Sequence, residues 1–543
     1  MLPIVALLGL LLALPTFAQT ADLIIENARI YTVNKSQPRA KALAVRGDRI
    51  LAVGDDLRAH AGPNTRRIDA QGATIIPGLI DSHGHMRGLG SLLEARDLRH
   101  VKTIAEIAAY ARELSAQRGP GEWITARNWD QTNWGGQYPS AADLDKTVPD
   151  RPVFLTRVDG HAGWANTKAL ELAGITDKTP DPPGGKINRD AQGHATGILI
   201  DRAQGLVRAK IPAATFQQTK RQLELAAREC ARLGLTGVHD AGVPADDLRA
   251  YRELIQENKF PMRVWAMIGG DGPLWREYLQ KGPEISDKLT VRSIKLVADG
   301  ALGSRGAALW QPYTDDSANT GLLITGKEDI ERVSRQAAEK GFQVCTHAIG
   351  DRANRTVLDA YRAALGAKND KRFRIEHAQI ISLPDFQTFA DFSIIASMQA
   401  THATSDMRWI DKRIGPDRVA GAYAWRRLLK LGVPVANGSD FPVEEPNPML
   451  GLYAAITRQD ANGQPPGGWT PDQKMTRDEA LESWTLTGAY AAFEEKLKGS
   501  LEPGKLADFL VLDRDIMTVE PRQILETKVK TTWLGGKIVY ERP

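Results

Sequence analysis

Apolar and polar positions divide the chain into three textures. From 22 to 76, short apolar runs at 23–25, 28–31, 42–45 and 49–53 alternate with turns such as Gly47-Asp48 and Gly54-Asp55, with nothing at helical spacing. The far end reads the same way: a run at 509–512, then 529–540 closing through Gly535-Gly536. Neither end has enough residues to bury a core alone. Residues 22–76 plus 500–543 together predict one small β-sandwich flanking whatever lies between.

Between them, strands alternate with helices, the signature of an α/β fold with a parallel sheet. Taking 75–85 as the first strand, seven more follow at 235–239, 262–267, 293–297, 343–347, 374–377, 393–398 and 433–437. Helical spacing recurs at 219–233, 327–340 and 351–365, and the last helix is expected at 478–494. Eight strands predict a distorted (β/α)8 TIM-like barrel over 77–499 rather than an open sheet. The first two strands are separated by about 150 residues, far more than a βα connection needs. That gap predicts a large insertion at 101–210 with elements of its own: helices at 103–117 and 166–172, strands at 123–127 and 153–158, and a hairpin at 185–199. Leaving the first strand at its C-terminal end, it would lie over the barrel mouth as a lid or recognition subdomain, or be a packing insertion only.

Residues 1–18 stand apart. An apolar run at 2–14 followed by small residues up to Ala18 predicts a secretory signal peptide, although no Lys or Arg precedes the run. A periplasmic or secreted protein follows, with no stable membrane insertion after signal removal, since the run is short for a bilayer span. Hydrophobic residues make up 42% and charged residues 25%, which is the balance of a water-soluble globular chain. The formal charge of +4 is spread without long runs of one sign, which excludes nucleic acid as the main partner. Cys230 and Cys345 are too few for a disulfide framework and predict two buried thiols, with one bridge left open.

Candidate chemistry sits at the strand ends. His83 and His85 are two apart, so both imidazoles leave one face of the first strand, as a metal pair or as two hydrogen-bonded histidines. Polar groups recur at later strand ends: Lys295, His347, His377 and Asp440. A barrel delivers all these ends to one pocket. Agreement among five strands favours a metal centre over unrelated core and turn residues. Lys295 lies mid-strand among apolar neighbours, where an ammonium needs a partner or a shifted pKa and would repel two divalent metals. Carbamylation by CO2 would convert it into an anionic bridging ligand. Trp129, Asp130 and His161 in the insertion, and Arg305 after the fourth strand, are candidates for substrate binding. Arg305 could equally pair with Asp299 or Asp315.

Six motifs in chain order resemble the amidohydrolase superfamily, specifically its family 3 branch, which includes N-substituted formamide deformylase-like enzymes. They are Pro77-Gly78-Leu79-Ile80-Asp81-Ser82-His83-Gly84-His85, Asp159-Gly160-His161-Ala162-Gly163-Trp164-Ala165-Asn166, Lys295-Leu296-Val297-Ala298-Asp299-Gly300-Ala301-Leu302-Gly303-Ser304-Arg305, Thr346-His347-Ala348-Ile349-Gly350-Asp351, Arg374-Ile375-Glu376-His377-Ala378-Gln379 and Gly438-Ser439-Asp440-Phe441-Pro442. The resemblance implies one metal on His83, His85 and Asp440, a second on His347 and His377, and carbamylated Lys295 between them. It implies Zn2+, about two ions per chain, because imidazole and carboxylate suit zinc. A metal-bridging hydroxide would attack a carbonyl carbon, with Asp440 as general base and then acid toward the leaving nitrogen. The expected function is an exported hydrolase of an amide, formamide or cyclic amide C–N bond in a small-molecule substrate. A homodimer is compatible with the sequence.

Two other functions fit the fold. A deaminase of the same superfamily would place a glutamate shortly after His347, where this chain has Ala348, Ile349, Gly350 and Asp351. A non-catalytic binding or regulatory protein would be free to lose a ligand, and none is lost.

Overall fold

The computed structural model describes residues 19–543 except 95, 96, 118, 120 and 367. The expected signal peptide at 1–18 lies outside the described residues. Eight strands form a parallel run in sequence order: β1 (Leu79–Gly84), β2 (Leu235–Val243), β3 (Arg263–Gly269), β4 (Leu289–Val297), β5 (Gln343–Ala348), β6 (Arg374–His377), β7 (Ile395–Met398) and β8 (Val435–Asn437). They are rich in Val, Ile, Ala and Met and buried along most of their length, as strands covered on both faces must be. The fold is a distorted TIM-like barrel.

The distortion is at the seam. β8 makes no ladder with β1; the chain just beyond β8 closes the ring instead, Asp440 N donating to His83 O (2.7 Å) and His85 N to Phe441 O (2.8 Å). From the helical layer, the Trp484 carbonyl accepts from Ile80 N (2.7 Å). That contact falls where one long helix was expected at 478–494, and the chain there forms two short ones, Arg477–Ser483 and Leu486–Ala491.

The single first strand expected at 75–85 is two strands. Thr74–Pro77 pairs with Phe509–Leu512 in a six-stranded sheet, while Leu79–Gly84 enters the barrel. Gly78 is the break: a Cβ there would sit 2.2 Å from Thr236 Oγ1, so only glycine allows the chain to pass so close to β2. The six-stranded sheet draws strands from both chain ends, and a four-stranded sheet comes from 23–69 alone. The two share one apolar core that includes Leu43, Ile75, Phe509 and Trp533. Arg263 ties this unit to the barrel through a two-pronged, buried pair with Asp508 (2.7 and 2.9 Å).

Between β1 and β2 the chain builds a five-stranded sheet, in order Gly185–Arg189, Ala195–Asp201, Ala162–Ala165, Val153–Arg157 and Ile124–Trp129. The helix Ile104–Ala116, capped by Thr103 on Glu106 N, packs Ile107 and Ala111 against it. Cys230, in the helix Phe216–Arg232, and Cys345 in β5 are buried free thiols. No helix among the described residues is long and apolar enough to cross a membrane.

Candidate metal centre

At the C-terminal ends of the strands a cavity of about 460 Å³ opens, and His83, His85, Lys295, His347, His377 and Asp440 all line it. Two interlocked turns shape one side. Gly84 lies against the Phe441 ring, where a Cβ would come within 2.6 Å, and a Cβ on Gly438 would be 2.6 Å from Asp81 Oδ1. Asp81 accepts from His83 N (3.1 Å), Ser439 N (3.1 Å) and Ser439 Oγ (2.6 Å), which locks the end of β1 to the turn carrying Asp440. Asp440 itself has φ 58°, a conformation that aims the carboxylate back over β1.

Strand alternation would send adjacent Glu376 and His377 to opposite faces. At His377 φ is 73°, and the turn this makes at the strand end brings both side chains inward. Asp299 accepts from Ala308 N (2.8 Å), Ile349 N (3.0 Å) and Gly350 N (2.8 Å), joining the loop after β4 to the turn that follows His347.

Each ligand-type imidazole near Asp440 is oriented through Nδ1. His83 Nδ1 meets Glu376 Oε2 (2.5 Å), His85 Nδ1 meets Ala241 O (3.0 Å), and His377 Nδ1 meets Gln399 Oε1 (2.8 Å). This leaves Nε2 as the metal-facing atom, the arrangement that outer partners impose on metal-binding histidines. Asp440 Oδ1 lies 3.1 Å from His85 Nε2 and 3.5 Å from His83 Nε2, is buried, and has no hydrogen-bond donor. Convergent imidazole nitrogens and an orphaned carboxylate oxygen fit a divalent cation. Burial and then the Lys295 charge push His83 down to about 4, and burial likewise holds His347 and His377 well below the ordinary imidazole range. Neutral rings are the metal-binding form. Lys295 Nζ is 3.3 Å from His83 Nε2, and burial lowers its pKa against the opposing pull of Glu376 and Asp440.

The ligand atoms keep the first expected grouping and change the second. His83, His85 and Asp440 form one close cluster; the second is His377, His402 and Asp440. His347 belongs to neither cluster: its ring lies 4.5 Å from that of His377, but its Nε2 is turned toward Gly300 O (3.5 Å) and Asp299 Oδ1 (3.6 Å). Sequence reading missed His402. It follows β7, which like β2 and β3 was left without a donor, and lies four residues past Met398 on the helix Ala400–Asp406 rather than at a strand end, so the vacancy alone did not single it out. His402 Nε2 lies 3.2 Å from Asp440 Oδ2 and Nδ1 3.1 Å from Glu444 Oε1. Burial alone would lower its pKa, but these two carboxylates raise it to about 10.

The expected substrate residues separate. Asp130 and His161 line the cavity. Asp130 is held between Arg157 (2.8 Å) and Arg408 (3.0 Å), and His161 Nδ1 meets Asp201 Oδ1 at 2.5 Å. Trp129 does not line it: fully buried in the insertion core, it donates from Nε1 to Leu155 O (2.9 Å) and packs on Trp134 and Trp164. An aromatic run in a sheet-forming segment is there to fill that core. Arg305 also turns away from the cavity, pairing with Asp315 (3.0 Å), one of the two structural partners open to it from sequence.

Residues 66–540 match the model of the amidohydrolase family. The chain is 33% identical to YtcJ of Bacillus subtilis over 94% of its own length and 98% of that protein's. To the N-substituted formamide deformylase of Arthrobacter pascens it is 29% identical, over 96% and 99%. In three dimensions it superposes on an uncharacterized metal-dependent hydrolase from Pyrococcus horikoshii OT3 with a TM-score of 0.74 and 29% identity, covering 92% of this chain and 99% of the other. With a match this long and a barrel mouth built this way, the chain belongs to the amidohydrolase family.

Proposed function

We propose that the protein is a metal-dependent hydrolase that cleaves a C–N bond in a small amide, formamide or cyclic amide. The observation that carries this is the set of imidazoles oriented through Nδ1 around the orphaned oxygen of Asp440. His83, His85 and Asp440 would hold one cation, and Asp440 with His377 and His347, or with His402 once it has given up its proton, a second. Lys295, as its CO2-derived carbamate, would lie between them. When bound, zinc polarises the substrate carbonyl and makes water nucleophilic at neutral pH.

The remaining chemistry falls to the chain. Asp440, reached by three imidazole nitrogens within 3.5 Å, takes the proton from the attacking water and returns it to the leaving nitrogen. Asp130 and His161, both on the insertion, line the same cavity and present polar groups to the substrate. Likeness over nearly the whole chain to an N-substituted formamide deformylase supports this bond type, and the apolar run at 2–14 supports export. The test is amine release from N-formyl, N-acyl and cyclic amides by zinc-loaded protein, alongside metal analysis. Turnover that disappears with chelation is expected. Protein that holds metal yet hydrolyses no member of the panel would leave a binding protein instead.

A further inference from the structure

Beneath the ligands, inside the barrel, lies a buried charge network that no ligand set includes. Arg374 and Glu376 are two apart on β6, so both point inward. Arg374 Nε donates to Glu376 Oε1 (2.7 Å), Nη2 to Ser82 O (2.8 Å), and Nη1 to His239 Nδ1 on β2 (2.8 Å). Glu376 Oε2 in turn meets His83 Nδ1 at 2.5 Å. Arg374 and Glu376 have no exposed surface, and His239 has 1%.

An ion pair this deep is seldom worth its desolvation as a source of stability, and an apolar pair would fill the space as well. Its geometry does something an apolar pair could not. The guanidinium reaches five strands at once: β6 itself, the backbone of Ser82 next to His83 on β1, His239 on β2, and, at longer range, Met267 Sδ on β3 (3.9 Å) and Ser397 Oγ on β7 (3.5 Å). It fixes where the Glu376 carboxylate lies and supplies the positive charge that a carboxylate needs at that depth. The carboxylate's other oxygen then accepts the His83 Nδ1 proton, turning Nε2 outward. We propose that Arg374 and Glu376 are positioning residues for the metal centre, acting through His83, with His239 as the brace that holds the guanidinium. This rests on the metal-binding reading above.

The test is Zn2+ affinity by chelator competition on full-length protein, with folding checked by circular dichroism. Wild type is expected to bind. Glu376→Gln and Arg374→Met are expected to bind about 10–100-fold more weakly, and Arg374→Lys to recover part of the loss. A purely structural pair would lower the melting temperature but leave the affinity of the folded protein unchanged. Folded variants with wild-type zinc affinity therefore overturn the proposal. The 15N shifts of histidine-labelled wild type provide a second measurement that needs no variant. Nδ1–H on His83 is expected, and a proton on Nε2 overturns the proposal. Wild type that binds no zinc would remove the metal reading itself, while the tautomer would still decide whether Glu376 orients His83.

Discussion

The two walls of the cavity are built on different principles. On the barrel wall, His83, His85, His377 and Asp440 sit at strand ends, and each imidazole is oriented from behind by a backbone or side-chain oxygen. On the insertion wall, charged groups consume one another: Asp130 is shared by Arg157 and Arg408, Arg157 also pairs with Asp159, and His161 with Asp201. Lone pairs free for a metal gather on the barrel wall, while Asp130, Asp159, Arg157 and His161 of the insertion are taken up in ion pairs. On the proposed reading, chemistry belongs to the first wall and fit to the second.

Variants on each wall would break or sharpen that division. Asp440→Asn removes the carboxylate common to both ligand clusters and the proton acceptor, so kcat/KM should fall by about 10³-fold or more, with metal content falling alongside it. Lys295→Ala should strip most of the bound metal, read by elemental analysis of the purified protein; full retention would count against a bridging role. His402→Ala should cost at least about 10–100-fold in activity or metal affinity, the range typical when the outer partner of a metal ligand is lost. On the other wall, Asp130→Asn should raise KM far more than it lowers kcat. It should also cost about 2–3 kcal/mol in urea unfolding, at or below the low end for a broken buried pair because Asp159 still faces Arg157. The smallest effect belongs to Arg305→Ala, with kcat/KM within about twofold of wild type, since its partner Asp315 lies in a part-exposed pair and keeps Arg413.

The same division explains what could be read in the sequence. In a parallel barrel, the residue ending a strand has one destination, so His83, His347, His377 and Asp440 could be brought to one mouth without coordinates. The eight strands themselves were legible from their buried runs. What failed depended on contacts between distant segments. Gly78 splits the first strand because Thr236, far along the chain, comes close, and Trp484 splits the last helix where its carbonyl meets Ile80. Trp129 resembled a pocket aromatic because nothing local distinguishes a core face from a cavity face in an inserted sheet. His402 sits on a helix past its strand, at a spacing that no strand periodicity marks. Glu376 was hidden for a related reason, since the left-handed turn at His377 overrides the alternation that would have sent one of the pair outward.

The mixed sheet in which Thr74–Pro77 lies beside Phe509–Leu512 has a consequence for biosynthesis. While the chain is being made, the strand leading into the barrel has an open, apolar edge through Ile75 and Ile76, and its neighbour is translated only after every barrel strand. Such an edge recruits other chains when left bare, and pairing across so long a stretch closes slowly. A chain stopped before 509 would thus carry all the proposed metal ligands and still tend to aggregate, and its yield of soluble protein should fall well before any effect on catalysis could be measured.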